Sequence, residues 1–402
     1  PDRVALLVSS EYEGIFHNGG VGTHYRTLSE RLAEDGWYVI LLLTYTDRKF
    51  GGRSELAAVK HVFSTEDVGD VLNLQPVHER LLNESSNDAF DREGLRSLFF
   101  AQATTDCFRG TPVYIEFPEM MGTGYRTIQA RRGGLLGTTC VTAVTMHSGH
   151  EWVFEANEKY TDDDPARLWQ VCFYERASFE AADLVFFPSR FLKTKVESFG
   201  WNTARAAHMP YFVPIVDLGP TRSDLPKLDE HRISVVFFGR LEERKGLCTF
   251  VEAVKALEPR MQRDIQVVFV GKVVPLYSAP LRHLDSRGYL DPELSGVVPY
   301  TILSDLYSVD AIRYVNSLEN PVVCLTSPQE NFPNSALEMG QLPVRLVVSD
   351  TGGFRETLDL IGRSSGLYCF EPKNARALSE AIARALGKVG KPPEAPSRLE
   401  VI

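Results

Sequence analysis

Short apolar runs of strand length alternate along this chain with stretches whose apolar positions recur at helical spacing. "RVALLVSS" (3–10) predicts a strand, "VGTHYRTLSERLAEDG" (21–36) a helix closed by Gly36, and "YVILLLTY" (38–45) another strand. These strands are continuously apolar rather than alternating, the pattern of strands covered on both faces. The rhythm continues through "TPVYIEF", "TGYRTIQARRG", "TCVTAVTMH", "PARLWQVCFYERASFEAA" and "DLVFFPS", read as strand, helix, strand, helix and strand. Such alternation predicts the α/β class, with a largely parallel sheet and helices on both faces.

The pattern breaks at "YFVPIVDLGPTRSDLPKLDEHR" (211–232), which is rich in proline and charge and reads as a linker. It restarts with "ISVVFFG" (233–239), "GLCTFVEAVKALE" and "IQVVFVG". The expected division is an N-terminal Rossmann-like domain over 1–212, a linker over 213–232, a second Rossmann-like domain over 233–387 and a tail over 388–402. The composition of 387–397 is that of disorder. Residues 272–300 show no assignable pattern. Two parallel-sheet domains facing a cleft is the economical architecture.

At 402 residues the chain has room for both. A net charge of -10 argues against a general nucleic-acid or anionic-membrane binder. No apolar run approaches a membrane span, and no leader resembles a secretory signal. The six cysteines are scattered without close pairs, which suits neither a zinc site nor a disulfide scaffold. Reduced thiols buried as packing residues in a cytoplasmic protein are expected. The chain opens at Pro1 without a methionine, so a processed product or a piece of a larger polypeptide is expected.

Four stretches carry candidate chemistry. In "HNGGVGTH" (17–24), Gly19, Gly20 and Gly22 would let the backbone approach a ligand at the start of a helix. Their spacing is not the dinucleotide fingerprint, and a bare glycine turn is the alternative. In "FFGRLEERKGL" (237–247), Arg240 and Lys245 beside a helix start suit a diphosphate, or else form a solvated loop paired with Glu242 and Glu243. In "TSPQENFPNSALEMGQLPVRLVVSDTGGFRE", Glu330 sits in a loop before a helix bearing Glu338, with Gly352 and Gly353 after the next strand. Backbone amides near Asn331, Phe332, Pro333 and Asn334 could hold an anion or hydroxyls, while a capping Glu330 and an exposed Glu338 are the plainer reading. In "VTMHSGHEW" (144–152), His147 follows a strand at the end where open sheets place ligands, with His150 and Glu151 close by. The run Asp162, Asp163 and Asp164 mimics a metal motif, but its place before Pro165 and a long helix favours capping.

In this order and at these distances, the four stretches resemble the retaining GT-B glycosyltransferases, the large family that includes sucrose synthases and many polysaccharide-building enzymes. The likeness runs from "GGVGTHYRTLSERLAEDG" to "SDTGGFRE" and includes "ERASFEAADLVFFPSRFL". It implies a transferase that moves a sugar from a nucleotide-diphosphate sugar to an acceptor hydroxyl on a glycan, lipid or small molecule. It further implies same-face displacement without a divalent metal or other cofactor. By resemblance, Gly19, Gly20 and Gly22 approach donor phosphate or acceptor. Arg240 and Lys245 neutralise the leaving diphosphate, Glu330 contacts the transferred sugar, Glu338 binds ribose hydroxyls and His147 meets the sugar. Asn18 stands where relatives that build glycogen or starch from ADP-glucose carry lysine. Arg345, inside an apolar strand, is read as either a donor-site residue or an edge-strand charge. A sugar-nucleotide epimerase, a glycoside phosphorylase and a non-catalytic sugar-binding module are the competing readings.

Overall fold

The computed structural model describes residues 1–16, 19–156, 165–212, 215–216, 218–278, 280–388 and 393. Asn18, Asp162, Asp163, Asp164 and nearly all of the tail lie outside the described residues. The chain divides into two compact units, Pro1–Phe212 and Val213–Ile402.

The first unit is built on seven strands: β1 (Val4–Ser9), β2 (Tyr38–Leu43), β3 (His61–Ser64), β4 (Val113–Pro118), β5 (Cys140–Thr145), β6 (Leu184–Phe187) and β7 (Ala207–His208). They pair in the order β3-β2-β1-β4-β5-β6-β7, all parallel. β1 shows why its sequence is apolar without interruption. Val4, Leu6 and Val8 enter one core with Ile40, Phe99 and Ile115. Ala5 and Leu7 enter another, on the opposite face, with Tyr12, Tyr25 and Leu41. Period-two alternation sends successive side chains to opposite faces, and here both faces are buried.

The second unit contains β8 (Ile233–Phe238), β9 (Ile265–Val270), β10 (Tyr300–Leu303), β11 (Val322–Leu325), β12 (Arg345–Ser349) and β13 (Leu367–Phe370). Their order is β10-β9-β8-β11-β12-β13, again all parallel. In each sheet the direction of strand addition reverses beside the first strand, between β1 and β4 and between β8 and β11. Beyond the carboxyl ends of strands at such a switch point, diverging loops leave room for a ligand.

Several segments differ from the sequence reading. The stretch read as a linker is fastened to the second unit. Val216 N donates to Gln341 Oε1 at 3.1 Å, Thr221 Oγ1 to the Arg313 carbonyl at 3.1 Å, and Tyr314 Oη to the Pro226 carbonyl at 3.1 Å. Residues 272–300 contain a helix, Ser286–Leu294, capped by the Asp285 side chain, which accepts from Gly288 N at 2.7 Å. Pro292 inside that helix obscured it. β12 is an interior strand, so Arg345 is not an edge charge. Its guanidinium stands at the amino end of the strand and donates to the Lys388 carbonyl at 2.6 Å, away from the ligand-binding end. Cys107 is exposed, against the expectation of buried thiols; Cys140 and Cys324 are buried.

Candidate active site

Topology alone makes the turn after β8 and the loop after β11 neighbours. Gly246, at φ 76°, ends the first of these, and a Cβ there would lie 2.2 Å from the Thr326 carbonyl oxygen. Only glycine permits that approach. Thr326 Oγ1 completes the junction by donating to the Lys245 carbonyl at 2.8 Å. On the far side, a Cβ at Gly353 would lie 2.0 Å from the Glu330 carbonyl oxygen. Gly353 thus accommodates the chain's own Glu330 loop.

These junctions bring Lys245 and Glu330 into a hydrogen-bonded ion pair, with side chains 19% and 6% exposed. Burial would raise the Glu330 carboxyl, but the Lys245 and Arg244 charges and hydrogen bonds from Lys245 and Ser327 outweigh it and hold the group below the usual glutamate range. Burial draws the Lys245 ammonium below its ordinary value, and Glu330 opposes that shift. Glu330 is therefore ionised at neutral pH. Arg240 is 56% exposed and lies 3.3 Å from Glu242, which Arg244 also holds at 3.0 Å. Glu243 turns away and accepts from Tyr277 N and Ser278 N. The basic turn therefore pairs with Glu242, and Glu330 engages Lys245.

The helix after Glu330 spans Asn334–Gly340, with Pro333 at its N-cap. Proline has no N–H, and Phe332 N donates to Asn331 Oδ1 at 2.6 Å. The row of amides expected from Asn331 to Asn334 is correspondingly thinner, and the Phe332 ring is buried. Glu338 accepts from Ser308 Oγ at 2.7 Å at an exposed position, which sets it beside the start of the helix Ser308–Ser317.

In the first unit, Gly19 caps the helix Gly20–Glu34, and its N–H donates to Glu11 Oε2 at 3.2 Å. Gly20 and Gly22 lie in the first turn of that helix. His24, on the same helix, places its ring 5.1 Å from that of His147. His147 is 5% exposed. Its Nδ1 is hydrogen-bonded to the Tyr211 hydroxyl, and its backbone N–H donates to Glu119 Oε2 at 2.7 Å. Burial first, and then the neighbouring His24, push His147 well below 6.5, so its imidazole is neutral.

Sequence reasoning missed the acids beneath this loop. Glu119 also accepts from Ser148 N and Gly149 N, both at 2.6 Å. Burial and the charge of Glu175 raise Glu119 to about 7, against the lowering effect of its backbone donors. Glu175 accepts from Met121 N at 2.8 Å, His150 N at 2.8 Å and His150 Nδ1 at 2.5 Å. That contact gives His150 a buried carboxylate partner. Among the described residues no group of three or more His, Cys, Asp or Glu is arranged to hold a metal ion. Likewise, no described helix is long and apolar enough to cross a membrane.

Two doubly wound parallel units in tandem, each with its polar groups beyond the carboxyl edge of the sheet, define the GT-B class. Residues 232–388 match the family of glycosyl transferases group 1. No curated protein matches this sequence. Solved structures share the fold along nearly the full chain. Sucrose-phosphate synthase from Thermosynechococcus elongatus is similar at 20% identity and TM-score 0.70, over 96% of this chain and 90% of that one. Anabaena HepE, in complex with UDP and glucose, is similar at 13% identity and TM-score 0.61, over 95% and 90%. WaaG, a glycosyltransferase involved in lipopolysaccharide biosynthesis, is similar at 13% identity and TM-score 0.59, over 96% and 90%. The chain has the GT-B fold.

Proposed function

We propose that this protein transfers a sugar from a nucleoside-diphosphate sugar to an acceptor hydroxyl with retention of anomeric configuration and without a metal ion. The observation that carries this reading is the buried Lys245–Glu330 pair at the switch point of the second sheet, with the exposed Arg240 on the same turn. Glycosyl transfer develops negative charge on the departing diphosphate and positive charge on the sugar ring. Fixed cations stabilise the first, and each well-placed donor contributes about 3 kcal/mol to lowering the barrier. Lys245 retains N–H groups beyond the one given to Glu330, and Arg240 offers a planar fork. The ionised Glu330 faces the sugar, and Glu338 is placed for ribose hydroxyls.

In the proposed step the bond from the anomeric carbon to the leaving phosphate oxygen breaks. The acceptor oxygen bonds to the same face of that carbon. The acceptor proton passes to the leaving phosphate oxygen, so the products are a glycoside and a nucleoside diphosphate. No side-chain base is needed. Neutral His147 serves as a hydrogen-bonding group toward the sugar, and the glycine-rich start of the Gly20–Glu34 helix approaches the donor phosphate or acceptor.

The test is a thermal-shift screen of UDP, GDP, ADP and TDP, with and without their sugars, in the presence of EDTA. Binding to the native state raises stability by mass action, so one nucleotide should stand out. Product analysis by NMR should then show a retained anomer. Failure of every nucleotide to bind, or an inverted product, overturns the reading.

A further inference from the structure

A second polar site lies in the first unit, at the carboxyl edge of β2 and β3. Tyr45, Thr46, Asp47, Glu66, Arg92 and Glu93 line most of a cavity of about 220 Å³. Arg92 stands in the first turn of the helix Ala89–Cys107. Its Nε is buried without a hydrogen-bond partner, and among the described residues its guanidinium forms no ion pair. A buried N–H left unsatisfied is costly, and such groups in native structures point to a missing partner.

The nearby acids do not supply that partner. Glu93 is committed to Arg96 Nη1 at 3.1 Å, Thr65 Oγ1 at 2.5 Å and Tyr45 N at 3.1 Å. Glu66 is hydrogen-bonded to Arg96. Asp47 is exposed to water. The wall of the cavity is also conformationally unusual: Tyr45 has φ 54°, in the left-handed region that bulky residues avoid. Its N–H bond to Glu93 holds it there. Strained backbone of this kind concentrates at functional sites.

Building on the glycosyltransferase reading, we propose that this cavity is an acceptor subsite for an anionic group, a phosphate or carboxylate carried by the acceptor, bound by Arg92. A guanidinium presents parallel N–H groups that match two anionic oxygens. The cavity is sized for one such group and part of a sugar ring, not for a whole nucleotide.

Isothermal titration with a hexose 6-phosphate, a hexuronate, the parent hexose and inorganic phosphate tests the idea. The wild-type protein should prefer one of the two charged sugars to the hexose by about tenfold or more, the scale of a charge-assisted hydrogen bond. The preferred one identifies the anion. Arg92→Ala should abolish the preference, and Arg92→Lys should restore part of it. Equal affinity for charged and neutral sugars, binding of none of them, binding of inorganic phosphate alone, or a preference that survives Arg92→Ala would overturn the proposal. A separate titration with nucleoside diphosphates reports on the donor reading. If no nucleotide binds while the Arg92-dependent preference persists, the transferase reading fails and the anion site stands.

Discussion

The carbonyl oxygen of Glu330 occupies the space that a side chain on Gly353 would need, 2.0 Å from where its Cβ would stand. The two residues belong to the loop after β11 and the helix after β12, so a helix start props up the glutamate of the candidate site. Gly353→Ala should displace that loop and destabilise the second unit by about 1–3 kcal/mol, the usual cost of overpacking. Urea denaturation checks the stability. Nucleotide titration should show weakened binding even where the variant stays folded.

Lys245 and Glu330 are both largely shielded from water, and removing one strands the other. Lys245→Met or Glu330→Gln should each cost up to about 3–5 kcal/mol in unfolding free energy. The Lys245→Met/Glu330→Gln double variant should cost clearly less than the sum of the two, because neither charge is then left alone. A double-mutant cycle by urea denaturation measures this. Additive losses would show that the pair is not coupled.

Arg240 contributes to the candidate site through its exposed guanidinium rather than through packing. Arg240→Ala should leave the melting temperature nearly unchanged while lowering kcat by about 100- to 1,000-fold, the cost of losing one transition-state donor. Calorimetry and steady-state kinetics separate the two effects.

Glu119 gives the first unit a distinctive response to pH. Its folded value of about 7 lies above the ordinary glutamate value of 4.5. The folded protein therefore keeps a proton that the unfolded chain has already released. Stability from this group is fully present below about pH 4.5 and is lost as pH rises through about 7. Glu119→Gln carries its own constant cost, but the difference in stability from wild type should change within that window and level off above it. A flat difference across thermal melts from pH 4.5 to 8 would show that Glu119 titrates normally.

Arg345 separates structure from chemistry. Its guanidinium caps the backbone just past the helix Ala375–Leu386 through the Lys388 carbonyl. Arg345→Met should destabilise the second unit by about 1.5–3 kcal/mol, the worth of a lost hydrogen bond from a charged group. Nucleotide affinity should not move. A selective loss of nucleotide binding would return Arg345 to the donor site.

The fold was legible because strands buried on both faces leave unbroken apolar runs, as β1, β2 and β8 do. The meeting of Lys245 and Glu330 was legible at the level of topology, since loops that follow neighbouring parallel strands must lie together. The clamp around His147 was not. Glu119, Glu175 and Tyr211 are distant in sequence and carry no local motif, and Glu175 sits inside an outwardly ordinary amphipathic helix. The helix Ala89–Cys107 mixes acids with aromatics, which blurred its apolar stripe and concealed Arg92 along with it. The paired Gly352 and Gly353 were visible as a site of close approach, but whether ligand or protein fills that space is decided only in three dimensions.

The placement of β1 also has a consequence for biosynthesis. Its Leu6 registers with Ile40 on one side and Ile115 on the other. During synthesis β1 can pair early with β2, but its second edge stays open until β4 has emerged from the ribosome. An unpaired apolar edge invites association with other chains. The nascent protein thus passes through an interval of exposure whose length is set by the loop and helices between β2 and β4, and slowing translation there should favour aggregation.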